Sequence, residues 1–528
     1  MAWYITIISH KQEPENPMRI ISNDEFKDII KKDLRDLVSL TIGISGITVK
    51  ELNRPMLGRL LMEAEKCEEI IDAYGIKQNA YWYPLRKSIG VIRSYSRVAY
   101  NFLHLRYSAP AYRLVPIEND FFAALEESID CLFKSFMLRL ESFSSFLHKV
   151  GMTDDLRALD SYPFSESIAD VKLEDTLEWT PLEAGAETAV YLASSFLNLA
   201  EESRFIKEAC QKKTDDYSSI IPDIVNEETL RLISNSFHNL QSKYDTILYH
   251  STITRTDENL PALRGQISIV YHLLETSTLL LHYFQRHEMQ IINNKSEEMQ
   301  QHFNQLFTIM VDFCMFYAQQ YIAAAQNLCK DILKTYSEQD QIKVPIPNYR
   351  GFHVRPSTLI AKIVIHYGSE VEMKLGNNVY NASMPLELFR ANEEINLSKR
   401  CAIAKEILEH KMIKEDADAL YDAKLMKKIL RIIFLDLLEK QKIIIYENDF
   451  SFDNLTPFDS ETIADFAKRG IALYLALGKI DIISDTQVEF SGDKRVLHDI
   501  QILAENGYGE DKFGNNIVLP KELSYLKR

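Results

Sequence analysis

A histidine and an arginine stand two residues apart in Gly351-Phe352-His353-Val354-Arg355-Pro356-Ser357. A neutral imidazole is a nucleophile able to take up a phosphoryl group, and a guanidinium is a forked donor shaped for phosphate. Such chemistry also needs backbone N–H groups to hold the anion. A helix N-terminus supplies them, because its first amides have no intrahelical partner and carry partial positive charge. The same field favours the uncharged ring. These residue types therefore predict a phosphate-handling site in which His353 attacks phosphorus, while Arg355 and the amides after His353, from Val354 on, hold the product.

The flanking pattern is the one that would place such a site. Upstream, Ile342, Val344 and Ile346 alternate with polar residues or proline, the period of a short strand. Downstream, Leu359, Ile360, Ile363, Val364 and Tyr367 recur at helical spacing, and Pro356 falls in the first turn, where its missing N–H costs nothing. Val371, Met373 and Leu375 then alternate with charged residues as a second strand. Gly376-Asn377-Asn378 makes a turn, and residues 379–382 a third strand. Ser383 follows, just before a short apolar run.

The stretch around His353 resembles the phosphorylation site of HPr, the histidine phosphocarrier of the bacterial phosphotransferase system, usually G-[LF]-H-x-R-P-[AS]. Val379-Tyr380-Asn381-Ala382-Ser383 is similar to that family's approach to its regulatory serine, so the resemblance implies Ser383 as a regulatory phosphorylation site. Serine is also a good helix N-cap, which is the plainer role for Ser383. Met384-Pro385 departs from the family's run after this serine, on a surface that helps dock the phosphoryl donor. The resemblance lapses over residues 391–478, which read as helices. It resumes with Gln487-Val488-Glu489-Phe490, and with a stripe of Val496, Leu497, Ile500 and Leu503 ending at Asn506-Gly507.

The fold expected is α+β: a large, mainly helical N-terminal region and an HPr-like open-faced antiparallel sheet with helices, interrupted by a helical insertion. The expected divisions are helical bundles over 1–150 and 151–335, an HPr-like domain over 340–390 and 485–512, the insertion over 391–480, and a tail over 513–528. The function expected is that of a phosphocarrier or phosphorylation-dependent regulator, a phosphotransfer component rather than a turnover enzyme. By resemblance its partners are phosphotransferase-system proteins such as enzyme I, with phosphoenolpyruvate as the ultimate donor. An unidentified protein partner is left for the helical region. The alternative is an interaction or scaffold protein whose HPr-like module is degenerate.

Composition bounds these readings. The 528 residues suffice for three or four domains, and 46% hydrophobic with 26% charged residues is ordinary for a globular protein. A net charge of −16 argues against general nucleic-acid binding, which draws on a basic surface. Cys67, Cys131, Cys210, Cys314, Cys329 and Cys401 form no close pair, which reads as free thiols in a reducing cytoplasm. Residues 1–8 read as a strand rather than a signal peptide, and no apolar run approaches the ~20 residues of a membrane span. Cytoplasmic is thus the expected location.

Elsewhere the long stripes read as core, among them Leu57, Leu60, Leu61 and Ala64, then Ile89, Ile92, Val98 and Phe102, then Ile129, Leu132, Phe133 and Phe136. Residues 85–104 lie without gaps on 263–282, a weak internal similarity. A polar, acidic stretch spans about 154–178. Lys424, Lys427, Lys428 and Arg431 read as a solvated helix face. His282 and His287, five apart, lack the spacing of a metal pair, and no metal site is expected. Gly507-Tyr508-Gly509 with Gly514 imitates a nucleotide loop but follows a helix, so no cofactor is expected either.

Overall fold

The computed structural model describes residues 19–152, 166, 173–174, 182–212, 220–288, 297–414, 422–446, 452 and 455–527. The expected N-terminal strand and nearly all of the acidic stretch at 154–178 lie outside them. The described chain is mainly helical with a small antiparallel sheet, an α+β architecture. None of its helices is long and apolar enough to cross a membrane. All six cysteines are free, and burial pushes the Cys67 thiol up to about 12.

Two compact units emerge. The first comprises Met1–Thr176, Ser203–Asn239 and Arg264–Ala324; the second comprises Leu177–Glu202, Leu240–Leu263 and Ala325–Arg528. The first unit takes helices from both sides of residue 150. Periodicity marks which face of a helix is buried, not which neighbour buries it.

In the first unit the helix Tyr83–Ser108 packs against Arg54–Ala73 and Phe121–Lys149. Asn53 and Asp120 start the two partners, each accepting a hydrogen bond from an N–H three residues on. The stripes read from sequence form this core: Leu57, Leu60, Ile89, Ile92, Phe102 and Phe136 are fully buried.

The second unit carries the histidine. Its relevant elements are β1 (Gln339–Pro345), α1 (Val354–Tyr367), β2 (Val371–Leu375), β3 (Asn378–Asn381), α2 (Pro385–Glu409), α3 (Ala423–Glu439), β4 (Ile443–Ile445), α4 (Ile463–Ala476), β5 (Ile480–Ile482), β6 (Gln487–Asp493) and α5 (Lys494–Glu505). Four strands form an antiparallel sheet in the order β1-β6-β2-β3, with Ile342 opposite Phe490, Val344 opposite Val488 and Met373 opposite Phe490. Because strand side chains alternate, Val371, Met373 and Leu375 all turn inward. They meet Ile360, Ile363 and Val364 of α1, Leu388 and Ile395 of α2, and Leu497 and Ile500 of α5 in one core.

Gly368 ends α1 at φ 66°, and its N–H returns to the carbonyls of Val364 and Ile365. A Cβ there would collide with Leu197 of the helix Leu182–Glu202, so both conformation and space demand glycine. The tail also belongs to the core. Leu519, Leu523 and Leu526 are buried in it, and Tyr525 donates a 2.6 Å hydrogen bond to Asp499.

The segment 391–480 departs from the all-helical expectation in two ways. Helix α2 runs unbroken across residue 391, so one helix serves both the sheet and the segment after it. Strands β4 and β5 pair as a two-stranded antiparallel ribbon. Each has only three residues, too few for strand alternation to show in a sequence. A separate core joins α2, α3 and α4 through Ile403, Ile407, Leu430, Phe434, Phe466 and Ile471. Lys424, Lys428 and Arg431 face solvent on α3, as the charge pattern suggested.

The junction of β6 and α5 carries the first prediction. Asp493 caps α5 through the Arg495 N–H, receives the Ser369 hydroxyl at 2.6 Å and pairs with the Arg495 guanidinium at 2.6 Å. Burial works to raise its carboxyl, but these bonds outweigh burial and hold it below the usual range. A carboxyl lowered on folding contributes stability above its unfolded value of roughly 4, and loses it as pH falls through the folded value. Asp493→Asn is therefore expected to lower the melting temperature at neutral pH and flatten the acid side of the stability profile. Parallel pH profiles for the two proteins would contradict this.

Candidate functional site

Residues 348–353 link β1 to α1 through an unusual backbone. Arg350 and Gly351 both lie in the left-handed region, at φ 53° and 62°. A Cβ at Gly351 would run into the Asn392 carboxamide, so this glycine is required twice over. Asn392 clamps the loop from α2: its oxygen accepts the Phe352 N–H at 2.7 Å and its amide donates to the Arg350 carbonyl at 3.2 Å. Phe352 itself is fully buried, edge-on to Tyr508.

A second clamp comes from β5. Asp481 accepts the Arg350 N–H at 3.0 Å through one oxygen and pairs with the Lys399 ammonium at 2.8 Å through the other. The two side chains are 4% and 2% exposed, so this is a buried ion pair. The Arg350 guanidinium donates to the Gly478 carbonyl at 3.0 Å. Tyr446 packs on Tyr349 with ring centres 4.9 Å apart, and its hydroxyl lies 3.5 Å from Asp481. Burial, and then the Asp481 charge, raise that phenol.

His353 is the N-cap of α1. Its N–H donates to the Gly351 carbonyl at 2.8 Å, and its own carbonyl accepts the Ser357 N–H at 3.2 Å. Pro356 has no N–H to place. The Val354 and Arg355 N–H groups are left without an acceptor among the described residues, at the positive end of a 14-residue helix. Val354 is well exposed, leaving that end open. Val354 and Arg355, the expected phosphate holders, directly follow the histidine in the first turn of the helix.

The ring is 20% exposed, with Tyr349 edge-on at 5.3 Å. Its Nδ1 lies 3.2 Å from the Gly351 carbonyl, and its Nε2 lies 3.1 Å from Oε2 of Glu510, a carboxylate only 7% exposed. The other oxygen of Glu510 lies 3.8 Å from Nε of Arg355, a nitrogen that makes no hydrogen bond. Sequence reasoning missed Glu510. Its one signal was the glycine loop rejected as a nucleotide site: Gly507, Tyr508 and Gly509 all have positive φ and swing the chain back over α1. Tyr508 anchors that turn by a 2.6 Å bond to the Pro345 carbonyl.

Ser383 is not part of this cluster. The cap of α2 is Met384, without a side-chain bond, which corrects the N-cap reading of Ser383. The Ser383 hydroxyl and N–H both donate to Asn381 Oδ1, at 2.7 and 2.9 Å, so the serine closes the turn one residue earlier. Among the described residues, no group of histidine, cysteine and carboxylate side chains could hold a metal ion. His282 lies 3.0 Å from a Glu227 oxygen.

No family model, no curated protein and no solved structure matches the chain. The site's chemistry therefore rests on its own geometry. That geometry gathers a half-buried imidazole, two open backbone donors and a guanidinium, groups that suit the holding of a small anion, beside one buried carboxylate whose charge opposes it.

Proposed function

We propose that the second unit contains an HPr-like module that accepts a phosphoryl group on His353 and passes it on or signals its presence. The observation that carries this reading is the placement of His353 at the cap of α1, with the Val354 and Arg355 N–H groups open beside it. The element order also supports it. A strand leads to the histidine and its helix, two strands and a second helix follow, and a further strand and helix complete an antiparallel sheet. In this reading the segment 391–480 is an insertion that lengthens the second helix and braces the histidine loop through Asp481. By resemblance the donor is enzyme I charged by phosphoenolpyruvate, and the first unit would respond to the state of the module.

Incubation with enzyme I and phosphoenolpyruvate is expected to put acid-labile phosphate on the native protein and none on His353→Ala. Label retained in His353→Ala would end the proposal.

A docking module without chemistry is the second reading. Its support is the exposure of Val354 together with Met384, Leu386 and Phe389, more apolar surface than a solvated helix start requires. Native protein that binds enzyme I but takes no label would favour it.

A further inference from the structure

We propose that the first unit binds a small organic cation, an amine on an apolar body, in a cleft walled by residues 119–131 and 304–317. This stands apart from the histidine chemistry. The cleft measures about 610 Å³, within the range of small-molecule sites. One wall is the face of the helix Phe121–Lys149 that carries Ala124, Glu127, Ser128 and Cys131, residues three or four apart. The other runs from the helix Glu297–Thr308 through a π-helical segment, Ile309–Met315, into the helix Phe316–Tyr336. Such π segments recur at functional sites. Every residue of this one except Asp312 is buried, and Asp312 lines the cleft.

The lining carries one sign of charge. Glu127 and Asp312 are carboxylates, and among the described residues no lysine, arginine or histidine lines the cleft. Neither acid has a hydrogen-bond or ion-pair partner among the described residues, whereas the adjacent Glu126 is held by Arg106. Partial burial pushes the Asp312 carboxyl above its ordinary value, as it does a charge with no partner to replace lost water. The Tyr317 phenol is raised by burial and then by the charges of Asp120 and Glu127, so the negative field reaches the aromatic wall. That wall is a cluster of rings. Tyr317 stands 5.3 Å from Phe313 and 5.2 Å from Phe316, and Phe313 stacks on Phe121 at 5.8 Å. Unpaired carboxylates and aromatic walls attract the same partner. A cation gains from both, and an apolar body gains by leaving water. A bare metal ion fits less well, since among the described residues no group of histidine, cysteine and carboxylate side chains could hold one. An anionic ligand would meet two like charges.

Calorimetric titration of the full chain at neutral pH with phenethylamine, and with its trimethylammonium form, tests this. At least one is expected to bind saturably, at one site per chain. The double variant Glu127→Gln/Asp312→Asn is expected to bind it roughly tenfold to a hundredfold more weakly, the scale of a lost charge-assisted contact. Asp130→Asn, which alters an exposed acid on the same helix outside the cleft, should bind as the native protein does. The amine should also raise the melting temperature of the native protein more than that of the double variant. Native affinity in the double variant, an equal loss in Asp130→Asn, or phenethyl alcohol binding as tightly as the amine would each overturn the proposal. So would a native protein that binds neither amine saturably.

Discussion

Asp481→Ala is expected to destabilise the second unit by about 3–5 kcal/mol, the cost of leaving one member of a buried ion pair uncompensated. Lys399 would keep its charge at 2% exposure with its Asp481 partner, now 2.8 Å away, removed. The Arg350 N–H would lose its acceptor as well. The effect should reach the histidine, since Arg350 adjoins the left-handed turn that sets the start of α1. Amide exchange is the direct readout: protection should fall across residues 349–357 and 480–482 together. Replacing both partners, as in Lys399→Met with Asp481→Leu, should recover part of the stability, because the ion pair itself contributes little net energy while the Arg350 N–H stays without its acceptor. A single Asp481→Ala that melts like the native protein would show that this clamp holds nothing.

Arg355→Ala is the second large effect expected, on phosphorylation rather than folding. The side chain is about a third exposed and its buried Nε makes no hydrogen bond, so its removal takes no hydrogen bond of that nitrogen from the fold. A phosphoryl group beside His353 would lose a charge-assisted, forked contact of about 1.5–3 kcal/mol. At equilibrium with phosphoenolpyruvate and enzyme I, the ratio of phosphorylated to free protein should fall roughly tenfold to a hundredfold. Arg355→Lys should fall between, because an ammonium keeps the charge but not the fork. Equal ratios for the three proteins would remove Arg355 from the site.

Local pattern and distant pairing were not equally legible in the sequence. The alternation of Val371, Met373 and Leu375, the α1 stripe and the Asn506-Gly507 stop all stand in the structure where they were expected. Each depends on neighbours within a few residues. The His353–Glu510 contact spans 157 residues and the Arg350–Asp481 bond 131, and no local period reports such pairs. A trace was nonetheless present. Asn392 and Lys399 sit on the same face of α2 as the buried Leu388, Ile395 and Ile403, so each interrupts an apolar stripe. A polar side chain in such a stripe must find a buried partner, and both did. Ser383 shows the opposite error, because a serine ahead of a helix suggests a cap and Asn381 claimed it instead.

The central claim is that His353 takes a phosphoryl group, and a phosphorus-31 spectrum tests it most directly. After treatment with phosphoenolpyruvate and enzyme I, one phosphoramidate resonance should appear, vanish in acid and be missing from His353→Ala. A spectrum without that resonance, or one in which it persists in His353→Ala, would contradict the account.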